Sequence, residues 1–148
     1  MNETIQLLKD VAKNARTGEV ALNDLMTCAE SPEMRTELDR ERRQYQSAAR
    51  EAETALAAAG SQPEPVGMAQ KAGMWVGTQM NTLTDRSNAH IAEMVIQGAT
   101  MGIIEMTKAR NTCPDADPGA ASLASRFIVE QNDIIDRQKA YLREPALV

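Results

Sequence analysis

The stretch from residue 88 to residue 111 is apolar on nearly every side of the helix that its spacing predicts. At about 100° per residue, only a narrow strip stays polar, formed by Glu93, Gln97, Thr100, Thr107 and Lys108. The apolar positions are Ile91, Met94, Val95, Gly98, Ala99, Met101, Gly102, Ile103, Ile104, Met106 and Ala109. A helix with so little polar surface must be covered by several neighbours. The chain is therefore predicted to form a helical bundle in which this helix is the most enclosed.

Length and composition favour one helical domain. A chain of 148 residues can bury roughly two-thirds of its unfolded surface, which suffices for a core without disulfides or metals. Aromatic residues are only 3% of the chain, while Ala and Met are plentiful, and this suits closely packed helices better than sheets. We predict a single all-α domain over residues 1–148.

Local signals indicate where the helices begin and end. Ser31-Pro32 and Asp117-Pro118 each place a capping side chain before a proline, the pattern typical of a helix start. Gly60, followed by Pro63 and Pro65, is expected to end a helix. The predicted helices cover residues 3–29, 32–59, 66–83, 88–111 and 119–143. Four of them are long, and the short helix at 66–83 lies in the connection between the second and third long helices.

Charge and hydropathy exclude two classes of partner. The net charge of −5 and a pI near 4.9 would repel a phosphate backbone, so no nucleic-acid partner is expected. No apolar run reaches the roughly 18 residues that a membrane span needs, and the start of the chain lacks a basic segment followed by an apolar one. We predict a soluble cytoplasmic protein.

The sequence carries few signatures of chemistry. Cys28 and Cys113 stand alone and fit neither a redox motif nor a zinc spacing. The single histidine, His90, is predicted on the polar side of its helix, and no glycine-rich phosphate loop occurs. We therefore expect neither an enzyme nor a bound cofactor.

The order of elements resembles a known superfamily. The matching residues, 13–18, 38–45, 67–75 and Gln97-Gly98, form a diffuse pattern within residues 5 to 143. The chain is similar to ferritin-like four-helix bundles, and more narrowly to a bacterial family of small proteins known only as a domain of unknown function. This resemblance implies a bundle with a short extra helix in its long connection. In ferritin-like di-iron proteins, inward glutamates and two Glu-x-x-His motifs hold the metal.

Two glutamates are the best candidates for such a site. Glu19 is predicted near the apolar stripe of the first helix and Glu41 on that of the second, at a similar height. Two carboxylates in an apolar seam are costly unless they share a metal, a proton or a basic partner. The alternative is that Tyr45 or a buried amide binds one acid while the other reaches solvent at the edge of the seam.

The remaining positions of the ferritin-like pattern match less well. The third helix offers Glu105 near its apolar face, and the last offers Glu130. Gln44 and Asp133 stand where the resemblance implies histidines. Glu19, Glu41, Glu105 and Glu130 are thus the candidate metal ligands, for iron or manganese. Without imidazole the set favours a hard divalent cation over oxygen-activating iron chemistry.

These observations lead to two hypotheses of different classes. The preferred one is a non-enzymatic bundle that acts as a self-associating scaffold or a partner-binding module. The alternative is a divalent-metal-binding bundle. A homodimer is expected, because the third helix is apolar on more sides than its companions can cover. The resemblance further implies that the third helix runs parallel to the second, which would place the two cysteines at opposite ends.

Overall fold

Residues 2–63 and 86–143 are described by the computed structural model, and within these ranges the chain is helical and contains no strand. The helices are α1 (Asn2–Cys28), α2 (Pro32–Ala58), α3 (Asn88–Thr112) and α4 (Pro118–Lys139), followed by one 3-10 turn at Ala140–Leu142. The all-α prediction is confirmed for this part of the chain. The predicted helix at 66–83 lies outside the described residues.

The helix starts follow the predicted capping signals. The hydroxyl of Ser31 accepts a hydrogen bond from the backbone N–H of Met34 at 3.1 Å, and Pro32 opens α2. The carboxylate of Asp117 accepts one from the N–H of Ala120 at 2.9 Å, in front of α4. Each cap satisfies a donor that the first turn of a helix leaves without an intrahelical partner.

The end of α2 is set by Gly60. This residue has φ +75°, in the left-handed region that glycine enters without steric cost. The N–H of Ser61 then donates to the carbonyl of Leu56 at 2.8 Å, and the N–H of Gly60 donates to that of Ala57 at 3.0 Å. This pair of bonds is the glycine-terminated helix end that the sequence predicts.

Contacts between helices fix their directions. Near the start of α1, Glu3 and Thr4 accept hydrogen bonds from the backbone of the turn between α3 and α4. Arg137, late in α4, binds Glu37, early in α2. α1 and α4 therefore run in one direction, while α2 and α3 run in the other. As predicted, α3 is parallel to α2.

This arrangement separates the two cysteines. Cys28 ends α1 beside the first turn, whereas Cys113 follows α3 at the other end of the bundle. Both thiols are free and buried.

The prediction that α3 is the most enclosed helix is wrong for the described residues. Met101 is 56% exposed and Ile104 is 48% exposed. Instead α1 packs against all three other helices, whereas α3 packs against α1, α4 and the 3-10 turn. Because α1 and α4 meet across the bundle, they cover only part of the wide apolar surface of α3.

The core is built from aliphatic side chains on the inner faces of all four helices. Among its fully buried members are Leu7, Leu25, Leu38, Ile91 and Ile134. None of the described helices is long and apolar enough to cross a lipid bilayer. Glutamate and glutamine side chains also reach this interior, where polar groups need partners.

Candidate functional site

Glu41 is the most deeply buried acid among the described residues. It faces inward from α2 and is 0% exposed. Gln138 of α4, also 0% exposed, donates from Nε2 to Glu41 Oε2 at 2.8 Å. Glu41 Oε1 accepts no hydrogen bond. One oxygen of this carboxyl is therefore bound by an amide, and the other has no hydrogen-bond partner among the described residues.

Glu37 lies one helical turn before Glu41 and is bound by two guanidinium groups. Arg137 of α4 donates to Glu37 from a terminal nitrogen at 2.9 Å and from Nε at 3.1 Å. Arg40 of α2 also donates to it, at 2.9 Å. A cavity of about 680 Å³, lined in part by Glu37, Arg137 and Tyr141, opens beside this cluster. Glu37 is thus held as an ionised carboxylate.

The two acids have opposite proton affinities. Burial, followed by the neighbouring carboxylate of Glu37, raises the pKa of Glu41 to about 9. Burial would also raise the pKa of Glu37, but the hydrogen bonds from Arg137 and Arg40 help to outweigh it, and that pKa is lowered to about 2. At neutral pH Glu41 therefore keeps its proton, while Glu37 is ionised. The pair carries one negative charge, facing two arginines.

A second buried polar pair lies further along α2. The hydroxyl of Tyr45 donates to Gln131 Oε1 of α4 at 2.6 Å. The Tyr45 ring also lies against Gly18 of α1 and packs at 57° to the ring of Phe127, with 6.1 Å between centroids. Burial raises the pKa of Tyr45 above its ordinary range, so this hydroxyl remains a donor. The pair joins α1, α2 and α4 at mid-bundle.

Glu19 is not part of the Glu41 cluster. Its carboxylate accepts hydrogen bonds from Arg16 and from Gln46, both at 2.7 Å, at the edge of the seam between α1 and α2. Burial opposes ionisation, but these bonds outweigh it and lower the pKa of Glu19. The structure matches the alternative in which an amide binds one acid, here Glu41, while the other lies at the edge of the seam.

The other two candidate ligands also stand apart. Glu105 is exposed on α3. Glu130 is half-buried on α4, and its pKa is raised, first by burial. Within the described parts of the chain, no three His, Cys, Asp or Glu side chains are grouped so as to hold a metal ion. The acid that joins Glu41 is Glu37, which the sequence reasoning missed although a spacing of four places both on one helix face.

A groove separates α1 from α3 above the Tyr45–Gln131 pair. Its volume is about 560 Å³. We call it the α1–α3 groove, and its lining includes Lys13, Gly18, Leu22, Leu25, Tyr45, Met94, Val95, Gly98, Met101, Gly102, Glu105, Lys108 and Gln131. Gly98 has no side chain to fill this space, and a Cβ built there would meet no atom within 4 Å. Met101 forms part of its rim.

The described residues define an all-α bundle with two buried polar pairs, one groove between helices and an α3 face that turns apolar side chains outward. No family model, curated protein or solved structure matches this chain. What the protein does must therefore be inferred from the chemistry of these residues.

Proposed function

We propose that this protein is a non-enzymatic, self-associating helical scaffold whose homodimer interface is α3. The observation that carries this proposal is the exposure of Met101, at 56%, and Ile104, at 48%, one turn apart on α3. A single exposed apolar side chain is ordinary, but adjacent ones beside a groove are typical of an interaction surface. Thr100 and Gln97 complete a surface of mixed polarity, as interfaces of separately folded subunits have.

The partners of the buried acids support a structural role for them. Glu41 is bound by Gln138, while Arg137 and Arg40 neutralise Glu37. The charge of the buried Glu37 carboxylate is thus balanced by basic side chains of the chain itself. The bonds from Arg137 and Gln138 link α4 to α2, and a protonated Glu41 carries no charge that burial would disfavour.

Placing glutamate at Ile104 is expected to weaken self-association at least tenfold, because a carboxylate would have to be desolvated in the interface. Light scattering across a concentration series measures the effect. The matched control is Val129→Glu on α4, where the wild-type side chain is 67% exposed. The α3 interface is refuted if both variants dimerise equally well.

Membership of the ferritin-like superfamily is part of this proposal. Its support is the parallel course of α2 and α3, whose connection joins opposite ends of the bundle. The departures are the missing Glu-x-x-His motifs at Glu41 and Glu130. A bundle of this kind without its metal ligands would retain the architecture as a scaffold.

Divalent-metal binding is the competing function, favoured by the adjacent carboxyls of Glu37 and Glu41. If the scaffold proposal holds, iron(II) or manganese(II) will leave the melting temperature of tag-free protein unchanged after chelator treatment. A metal bound at a hundred times its dissociation constant would add about 2.7 kcal/mol, a rise on the order of 10 °C for a chain of this size. Such a rise, abolished by Glu41→Gln, would establish the metal function instead.

A further inference from the structure

The exposed side of α3 carries an acid before its apolar side chains and a base after them. At about 100° per residue, a set of exposed side chains lies within about 60° of Ile104 on this helix. They include Glu93, Thr100, Met101, Thr107 and Lys108, and we call this surface the outer face of α3. Glu93 lies towards the start of the helix and Lys108 towards its end.

The charged pair and the apolar pair of this face have nearly the same centre. The midpoint between Glu93 and Lys108 lies two positions before that between Met101 and Ile104, which is about 3 Å along a helix. Long, flexible side chains can span such an offset. A helix with opposite charges at similar distances from an apolar centre is complementary to a second copy of itself that runs in the opposite direction.

Neither charge is neutralised within the part of the chain that the structure describes. Lys108 forms no ion pair there. The side chain of Glu93 is 55% exposed, and its ionic neighbour is His90, with 3.7 Å between Nδ1 and the carboxylate. This contact is an ion pair only when the imidazole is protonated. Both charges can therefore bind a group outside their own chain.

We propose that two copies pair through α3 in antiparallel directions about a two-fold axis, with Glu93 of each copy bound to Lys108 of the other. The symmetry makes this contact twice. A parallel pair would instead set Glu93 against Glu93 and Lys108 against Lys108, and like charges repel. This inference rests on the proposed dimer and adds the direction and register of its two helices.

Reversing each charge by itself, and then both together, tests the pairing. In sedimentation equilibrium of the full chain, Glu93→Lys and Lys108→Glu should each weaken self-association about three- to tenfold. The double variant exchanges the signs of both contacts and should return to within about twofold of the wild type. The matched control is Lys139→Glu on α4, where Lys139 lies 3.5 Å from Asp136, and it should leave the dissociation constant unchanged.

Single cysteines on the outer face report the direction of the helices. With the axis near residue 101, the two copies of residue 107 are separated by about 14 to 20 Å along the helices, whereas those of residue 100 lie near the axis. A short bismaleimide should therefore crosslink Thr100→Cys between copies and leave Thr107→Cys uncrosslinked. The wild type supplies the background, because Cys28 and Cys113 are buried.

Several results would overturn the pairing. Opposite effects of the two single reversals would reflect net charge alone, and a double variant no better than either single one would exclude the reciprocal contact. Equal crosslinking at residues 100 and 107 would indicate parallel helices. Reversals that lower the melting temperature of a monomeric chain would show that the chain itself covers this face. Any of the first three results with a dimeric wild type refutes only the geometry, whereas a monomeric wild type also refutes the proposed function.

Discussion

Replacing Gly18 by alanine is expected to lower the free energy of unfolding by about 2 to 4 kcal/mol. A Cβ at Gly18 would lie 2.4 Å from Cε1 of Tyr45 and 2.6 Å from its Cζ, closer than packed atoms can be. The ring cannot retreat freely, because its hydroxyl is bonded to Gln131 and its face packs near Phe127. Chemical denaturation measures the loss.

Gly98→Ala is the matched control for this change. The added Cβ meets no atom within 4 Å, so only the helix propensity of the residue changes. Alanine is then expected to stabilise the protein by about 0.5 to 1 kcal/mol. The packing therefore predicts that Gly18→Ala lowers the free energy of unfolding and that Gly98→Ala raises it. A Gly18→Ala variant as stable as the wild type would show that α1 does not contact Tyr45 in this way.

Replacing Glu41 by glutamine is expected to stabilise the protein at alkaline pH by about 2 kcal/mol or more. Burial raises the pKa of Glu41 from its ordinary value near 4.5 to about 9. The contribution of Glu41 to the free energy of unfolding is therefore greatest below pH 4.5, and this contribution is lost as pH rises towards 9. Glutamine mimics the protonated acid, since it is uncharged and its amide oxygen can accept the hydrogen bond from Gln138.

Melting temperatures between pH 5 and pH 9 measure this effect. The wild type should lose stability across the range, and Glu41→Gln should remove most of that slope. The control is Glu51→Gln, an exposed acid bound by Arg126, whose pKa is lowered. Glu37 has the opposite linkage, because its lowered pKa gives stability that is fully present above pH 4.5 and is lost as pH falls towards 2. Parallel pH profiles for wild type and Glu41→Gln would contradict the raised pKa of Glu41.

Local signals predicted most of the helix boundaries. Capping by Ser31 and Asp117 and termination at Gly60 depend on residues within a few positions of each other, so the sequence alone contains them. The end of the last helix was less accurate, because α4 gives way to a 3-10 turn at Ala140 before the expected end at residue 143. No local signal marks that change.

The hydrogen-bond partners of buried side chains could not be predicted from local sequence signals. Periodicity placed Glu41 inside the bundle, but its binding by Gln138 depends on how α2 and α4 are set side by side. Glu19, which precedes Glu41 by 22 positions in the sequence, bonds to Arg16 and Gln46 at the edge of the seam between α1 and α2. A helical projection of α1 alone cannot distinguish that edge from the core. The exposure of Met101 likewise depends on how many helices reach α3.

Sedimentation equilibrium of the unmodified chain tests the proposed self-association most directly. The chain has a mass of 16.2 kDa, and its homodimer would have about twice that mass. If Met101 and Ile104 are buried between two copies, we expect a dissociation constant below about 1 µM. The dimer should then predominate at protein concentrations on the order of 10 µM and above. A mass of 16.2 kDa at every concentration up to that level would contradict the scaffold proposal.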